Sequence, residues 1–219
     1  PQALVRVREL GLSPPVSPGI EVLRLVNGRG FASEIEASIR TQVVEPTLKA
    51  MADRGTPFRG VLFVGLMVVD GAPQVLEYNV RFGDPEAQVV LPLVDGDVGA
   101  LLLAAARGRL DSVPPLVLRS GAAATVVMAS EGYPNRPETG RVVEGTEAFD
   151  SEEVWIDFAG VSDDGGRLVT SGGRVLAVTA RGADLSEALA RCYGGIDRVR
   201  FQGAHVRRDI GRRALDRGS

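Results

Sequence analysis

The spacing of apolar residues predicts a helix and then a strand in the first third of the chain. Apolar side chains recur at helical spacing between Ile35 and Met51, which predicts a helix over Phe31–Arg54. Pro46 should kink or divide this helix, because proline has no amide donor. The apolar run Val61–Val69 is bounded by turn residues and predicts a buried strand. We therefore expect a helix that covers a sheet.

The residues after this run predict a hairpin. Asp70–Pro73 has the composition of a turn, and Gln74–Arg81 is predicted to be the partner strand. Alternate side chains of a strand share one face, and three polar ones fall together: Glu77, Asn79 and Arg81. Tyr78 and Val80, on the opposite face, fit a strand with one side in the core.

Two helices and a linker are predicted next. Gly83–Pro85 is expected to form a turn, and Glu86–Val94 is expected to be helical. Asp97–Arg107 predicts a helix that is capped by its first aspartate and turns its leucines toward a core. Asp111–Gly121 contains two adjacent prolines and is predicted to be a linker between domains.

The second half of the chain mixes strands, turns and one long helix. Its predicted strands are Ala122–Ser130, Val154–Phe158, Arg167–Thr170 and Arg174–Thr179. Asp184–Tyr193 is a predicted helix. The seven arginines of Arg198–Arg217 are expected on a solvated helix face, since two aspartates accompany them. The predicted fold class is therefore α+β, or mixed α/β, with domains of residues 1–112 and 113–219.

Composition narrows the functional classes. The net charge of the 219 residues is −3, which gives no reason to expect nucleic acid or an anionic membrane as a partner. Cys192 is the only cysteine, so an intramolecular disulfide is excluded, and this fits a reducing cytoplasm. A single histidine, His205, argues against a zinc site. No apolar run of the sequence reaches membrane-spanning length.

The polar face of the predicted hairpin has two interpretations. Carboxylate and amide oxygens, as on Glu77 and Asn79, suit Mg²⁺, which binds few protein groups and shares the rest with substrate phosphates. The planar guanidinium of Arg81 suits a phosphoryl oxygen. The alternative is a polar strand face that meets water. The spacing alone leaves both interpretations open.

A family resemblance separates them. The stretch LEYNVRFGDPEAQVVLP, with TPFRGVLFVGLM before it, resembles the C-terminal half of the ATP-grasp domain of glycinamide ribonucleotide synthetase, or phosphoribosylamine–glycine ligase. The stretches GGRVLAVTARGADLSEALARCY and RVRFQGAHVRRDIG are similar to the C-terminal domain of that family. The resemblance covers about residues 13 to 215. It implies a partial ATP-grasp domain followed by a small domain of mixed sheet and helix.

The resemblance also implies a reaction and its residues. The family joins glycine to 5-phosphoribosylamine with ATP, through glycyl phosphate, in purine biosynthesis. Mg²⁺ (or Mn²⁺) is the implied metal, with Glu77 and Asn79 as its ligands, and these two residues with Arg81 would bind ATP. Arg81 and Asp84 are the implied catalytic residues, the first on the phosphoryl group and the second on a substrate amine or hydroxyl. Glu86 is a weaker candidate.

The chain departs from the family pattern in several places. In the wider ATP-grasp superfamily the first hairpin strand often carries a second metal-binding acid, and that place falls near Gly65. ATP-grasp enzymes typically hold phosphates with lysines of a separate lobe, whereas Lys49 is the only lysine here. An intact enzyme has an N-terminal domain and an ATP-binding lobe that exceed the residues before Ser13. We therefore expect a truncated or split ligase that binds ATP poorly alone and needs a separate chain for those lobes.

Two alternatives remain at this point. One is another ATP-grasp carboxylate–amine ligase, because the Glu-x-Asn-x-Arg pattern is shared across the superfamily, although RFGDPE argues for the glycine ligase. The other is a non-catalytic remnant or assembly module. An exposed apolar surface would favour the module, because such a surface needs a partner.

Overall fold

The computed structural model describes residues 4–6, 33–114, 116–147, 149 and 151–215, which form two compact units. The first unit holds the described residues of 1–10, 84–95 and 118–219, and the second holds those of 11–83 and 96–117. Helix and strand each make up 31% of the structure, so the fold is mixed, as predicted. The predicted boundary between residues 112 and 113 stays a prediction.

The helices and strands follow the chain order used below. The helices are α1 (Ser33–Ile39), α2 (Glu45–Asp53), α3 (Glu86–Val90), α4 (Val98–Arg107), α5 (Leu185–Ile196) and α6 (Arg212–Leu215). The strands are β1 (Leu4–Arg6), β2 (Phe63–Val69), β3 (Ala72–Asn79), β4 (Val94–Asp95), β5 (Val117–Leu118), β6 (Ala122–Ala129), β7 (Val154–Phe158), β8 (Val161–Asp164), β9 (Arg167–Thr170), β10 (Arg174–Gly182) and β11 (His205–Val206). A π-helical segment, Arg40–Val44, joins α1 to α2, and 3₁₀ turns lie at Leu91–Leu93 and Leu110–Ser112.

The first unit is built on an antiparallel sheet in the order β1-β6-β10-β7, with β11 beside β6. Helix α5 packs on β6 and β10, and its apolar face joins the core around Val126 and Val178. The opposite face of β6 is closed as well, since Ala123 and Thr125 are fully buried. The short helix α3 contacts β6 and β1. This sheet is therefore covered on both sides along β6.

The helix caps of the two predicted long helices are confirmed. Asp97 accepts a hydrogen bond from the amide of Ala100 at 2.8 Å, and Asp184 accepts one from the amide of Glu187 at 2.9 Å. Each carboxylate satisfies an amide that has no partner within its own helix. The sequence rule for a helix N-terminus therefore held at both places.

The second unit contains the run from α1 to α2, the β2–β3 hairpin and α4. The predicted first helix is confirmed within its described part, and the π-helical segment precedes Pro46 in the first turn of α2. The hairpin turn consists of Asp70 and Gly71, with φ of 51° and 78°. A two-residue turn with positive φ at both positions matches the twist of the flanking strands.

The burial predicted for the second unit is wrong. The predicted buried strand Val61–Val69 begins only at Phe63, and Met67 is 53% exposed. Tyr78 and Val80, expected in the core, are 44% and 71% exposed. Apolar residues of a sequence show which surfaces gain from burial, but burial also requires a neighbouring element to cover them.

Two further predictions of burial and helix are corrected. The leucines of α4 do not all face a core, since Leu102 and Leu103 are exposed. The predicted helix over Arg198–Arg217 is, in its described part, the strand β11 followed by the short α6. Gly203 and Gly211 both have a φ of 74°, which lies outside the helical region and interrupts a helix there.

Candidate functional site

The central candidate is a pair of side chains near the end of β3. Glu77 pairs with Gly65, and Asn79 pairs with Phe63, so both project from the same face of the hairpin. The amide nitrogen Nδ2 of Asn79 donates to Oε1 of Glu77 at 3.2 Å. Glu77 is exposed and Asn79 is half-buried. The predicted neighbourhood of these two residues is present in the structure.

An irregularity in the hairpin lies beside this pair. The register runs from Gly65 opposite Glu77 to Leu66 opposite Val75, which leaves Leu76 without a partner residue. One extra residue in a strand is a β-bulge, and a bulge changes the direction of neighbouring side chains. Leu76 is 63% exposed. The bulge therefore brings an apolar side chain to the surface next to the polar pair.

Arg81 lies beyond the strand that was predicted to carry it. Strand β3 ends at Asn79, and Arg81 follows in a bend, so the expected alignment of three polar side chains holds for only two. The guanidinium Nη1 of Arg81 donates to the carbonyl of Phe82 at 3.0 Å. The side chain is exposed, so its guanidinium is accessible to a phosphoryl oxygen.

Asp84 belongs to the first unit and is held from two sides. Nη1 of Arg174 lies 3.2 Å from Oδ2 of Asp84 and donates to the carbonyl of the same residue, also at 3.2 Å. Gln88 Nε2 donates to Oδ1 at 2.9 Å. Both carboxylate oxygens therefore have partners. The neighbouring candidate Glu86 is half-buried in the first turn of α3.

A second carboxylate of the first unit was missed by the sequence analysis. Oδ2 of Asp157 accepts from the hydroxyl of Thr179 at 2.5 Å, and that hydroxyl lies 2.8 Å from the hydroxyl of Thr125. Burial raises the pKa of Asp157 above its ordinary value, as does the charge of Asp84, while hydrogen bonds from Thr179 and Trp155 oppose the rise. Asp157 and the two threonines are far apart in sequence, so no local pattern could have revealed this cluster.

The donor set of the hairpin pair fits a hard divalent cation. Among the residues that the structure describes, no group of three or more His, Cys, Asp or Glu side chains could hold a metal ion. Magnesium needs only one or two carboxylates when substrate phosphates and water complete its shell. Glu77 and Asn79 offer one carboxylate and one amide oxygen. The amide of Asn79 now turns its nitrogen to Glu77, so it must turn over for both oxygens to face one ion.

The single cysteine does not have the environment of a reactive thiol. Cys192 is fully buried and its thiol donates to the carbonyl of Val178 at 2.8 Å. Burial raises the pKa of Cys192 to about 12, so the thiol stays protonated near neutral pH. No helix within the described residues is both long enough and apolar enough to cross a membrane.

Comparison with family models decides the relationship. The ATP-grasp (A) domain model of phosphoribosylglycinamide synthetase matches residues 28–87, and the C domain model of the same enzyme matches residues 123–213. The chain belongs to the phosphoribosylglycinamide synthetase family. The candidate pair Glu77 and Asn79 lies within the first matched segment, and Asp157 and Arg174 lie within the second.

Curated relatives and a solved structure agree with this assignment. The chain is 49% identical over 183 residues to phosphoribosylamine–glycine ligase of Chlorobaculum tepidum, covering 83% of this chain and 43% of the relative. It is 47% identical over 183 residues to the ligase of Mesorhizobium japonicum, covering 84% and 43%. The crystal structure of phosphoribosylamine–glycine ligase from Thermotoga maritima aligns with a TM-score of 0.72 at 32% identity, covering 95% of this chain and 54% of that one. The chain thus spans about 43% of the length of the curated relatives it matches.

Proposed function

We propose that this chain supplies the metal-binding hairpin and the C-terminal domain of a phosphoribosylamine–glycine ligase. The observation that carries the proposal is the adjacent pair Glu77 and Asn79 in a chain 49% identical to a curated ligase of that name. The remaining lobes of such a ligase account for more than half the length of the relatives. The proposed activity therefore belongs to a protein that contains those lobes, on this chain or on a separate one.

The proposed reaction has two balanced steps. A carboxylate oxygen of glycine takes the γ-phosphoryl group of ATP, which forms glycyl phosphate and releases ADP. The amine of 5-phosphoribosylamine then attacks the acyl carbon, the amine loses one proton to water, and phosphate leaves as the amide bond forms. The first step concentrates negative charge on the transferred group, so positioning and charge neutralisation account for most of its catalysis.

The residues of this chain have distinct roles in the proposal. Glu77 and Asn79 would hold Mg²⁺ (or Mn²⁺), which, when bound, supplies positive charge against the nucleotide phosphates. Arg81 would bind an oxygen of the transferred phosphoryl group, since its planar guanidinium matches that geometry. Asp84 would orient a substrate amine or hydroxyl, and Arg174 and Gln88 fix the direction of its carboxylate.

A chimera tests the proposed function directly. The 183 matched residues of the Chlorobaculum tepidum ligase are replaced by the matching residues of this chain, and formation of glycinamide ribonucleotide is measured. We expect ligation by the chimera and a loss of at least about a hundredfold for Glu77→Ala, because the variant lacks the only carboxylate of the pair. Gln74→Ala, on the same strand and exposed, is the matched control and should keep the activity.

Each of three results would contradict a part of the proposal. A folded chimera that does not form product contradicts the assignment. Equal rates for Glu77→Ala and Gln74→Ala contradict the metal site alone. A parallel assay of this chain by itself should show no turnover, and robust ligation would contradict the proposal that it needs further lobes.

A second function, assembly with a separate lobe, is favoured by the exposed end of the hairpin. Five large apolar side chains on paired strands are exposed there and form what we call the apolar hairpin end: Met67, Val68, Val69, Val75 and Leu76. Successive side chains of a strand alternate, so these residues lie on both faces of the hairpin, and exposed apolar surface of this kind marks a binding region. We infer that the lobes present in the relatives cover it. A separate chain as their source, and a cytoplasmic location, stay predictions.

Mixing tests this assembly. The part of the Chlorobaculum tepidum ligase outside the matched residues is expressed separately and combined with this chain, and complex formation is followed by analytical ultracentrifugation. We expect a complex that Leu76→Glu weakens, because a charge would be buried in an apolar contact. Gln74→Glu places the same charge on the same strand and serves as the control. A complex unaffected by Leu76→Glu would remove the apolar hairpin end from the interface.

A further inference from the structure

Gly65 stands directly opposite Glu77, in the middle of the strand that pairs with β3. A Cβ atom built on Gly65 would lie 2.9 Å from Cγ of Glu77 and 3.7 Å from its Oε1. Carbon atoms of well-packed residues stay about 3.5–4.0 Å apart. The side chain of Glu77 therefore occupies the space that any other residue at position 65 would need.

The backbone gives no reason for a glycine at this position. Gly65 is absent from the described glycines with positive φ, the conformation that favours glycine over other residues. Its neighbour Val64 is a good strand former, whereas glycine weakens the interior of a strand. The close approach of the Glu77 side chain is the feature that accounts for glycine here.

We propose that Gly65 is a positioning residue that keeps the Glu77 carboxylate beside Asn79 by leaving open the path of the Glu77 side chain across β2. With Gly65, the carboxylate lies 3.2 Å from the amide nitrogen of Asn79. An alanine at position 65 meets Cγ, which lies close to the backbone, so Glu77 has to rotate about its first side-chain bond. That rotation carries the carboxylate away from Asn79. This inference rests on the proposed metal site, because the position of Glu77 matters to that site.

A double-mutant cycle on the full chain tests the contact without any ligand. Gly65→Ala is made with Glu77 present and with Glu77→Ala, and the opening of the hairpin is followed by hydrogen exchange of the β2 and β3 amides. Alanine is the better strand former, so Gly65→Ala should slow exchange when Glu77 is absent. With Glu77 present, Gly65→Ala should leave the exchange rate unchanged or raise it. We expect a coupling of about fivefold or more in the opening equilibrium. An equal effect in both backgrounds overturns the inference.

A metal titration on the same variants shows whether the position matters for binding. Mn²⁺ should broaden the side-chain amide signal of Asn79 in the unaltered chain, and Gly65→Ala should require about tenfold more Mn²⁺ for the same broadening. Glu77→Ala should have a similar effect. Gly194→Ala is the control, because a Cβ at Gly194 meets nothing within 4 Å and its φ is not positive.

Hydrogen exchange tests the contact between Gly65 and Glu77, and the Mn²⁺ titration tests the metal site, so the two can fail separately. If the coupling is present but Mn²⁺ broadens the Asn79 signal neither in the unaltered chain nor in the chimera with ADP, the proposed metal site fails and the contact between Gly65 and Glu77 stands. If Mn²⁺ binds and Gly65→Ala binds it as tightly as the unaltered chain, the positioning role is overturned while the metal site stands.

Discussion

The two units differ in how completely their apolar side chains are buried. Of the 26 buried apolar residues among those described, 24 lie in the first unit, and the two in the second unit are Val43 and Ala104. Of the thirteen large apolar side chains that are exposed, ten lie in the second unit, and the other three are Tyr133, Val142 and Phe158. The second unit carries the candidate metal pair.

This difference indicates that the two units depend to different degrees on segments outside the described residues. The sheet of the first unit has its own covering helices and a continuous core. The second unit has apolar strands and a helix whose outer side chains have no cover among the residues that the structure describes. A core of its own is what allows a domain to fold independently. We therefore expect the first unit to be the stable one, and the following measurements test that expectation.

The largest expected effect is on a buried leucine of the first unit. Leu176 is 1% exposed, and Leu176→Ala should lower the free energy of unfolding by about 2–5 kcal/mol, through lost burial and a residual cavity. The matched change in the second unit, Leu76→Ala at 63% exposure, should stay within about 0.5 kcal/mol. Urea denaturation of both variants measures the difference. Comparable losses of stability in the two variants would contradict the difference between the units, because Leu76 would then belong to a core.

A buried hydroxyl of the first unit should have the next largest effect. Thr179→Val keeps the shape of the side chain but removes the donor to Asp157, and should cost about 1–3 kcal/mol. Thr56→Val, in an exposed loop of the second unit, should change the free energy of unfolding by less than about 0.5 kcal/mol. An unchanged free energy of unfolding in Thr179→Val would show that Asp157 finds another donor.

The pH dependence of stability should report the burial of Asp157. Its pKa is raised in the folded state from an ordinary value of 3.8, so the folded protein holds this proton more tightly than the unfolded chain. The contribution of Asp157 to the free energy of unfolding is therefore fully present below pH 3.8 and is lost as the pH rises through the raised pKa. Asp157→Asn has no carboxyl group to titrate, so the variant lacks this pH-dependent loss of stability. The free energy of unfolding of the unaltered chain should fall relative to that of the variant across this range, and parallel profiles would contradict the assignment.

The smallest expected effects come from breaking one ion pair in each unit. Arg174→Ala removes the contact with the carboxylate and carbonyl of Asp84, and should cost about 1 kcal/mol or less because both side chains are partly exposed. Lys49→Ala removes the exposed pair with Asp53 in the second unit and should cost about 0.3–0.5 kcal/mol. Thermal denaturation at low and high salt measures both. A larger loss for Lys49→Ala than for Arg174→Ala would run against the proposed difference between units.

Local rules predicted the elements well because their causes are local. The caps at Asp97 and Asp184 follow from a carboxylate that meets amides three residues ahead. The hairpin follows from Asp70 and Gly71, which accept positive φ. The hydrogen bond between the side chains of Glu77 and Asn79 follows from the alternation of side chains on a strand. In each case the interacting residues lie within a few positions of one another.

The contacts that the sequence did not predict join residues far apart in the chain. Arg174 reaches Asp84 across ninety positions, and Thr179 reaches Asp157 from another strand. No local spacing carries such information, because these contacts depend on which strands become neighbours in the sheet. The strands β8 and β11 were likewise missed, since each is short and pairs with a partner chosen by the fold.

The sequence by itself determined the family, the main helices and strands, and the polar pair Glu77 and Asn79. The tertiary structure decided which apolar residues are buried and what surrounds each candidate carboxylate. Periodicity records the preference of a residue for one face of its own element, whereas burial and ion pairing depend on the element that lies against that face. In the second unit that covering element is absent from the described residues, so Leu76 and Val80 are exposed despite their apolar character.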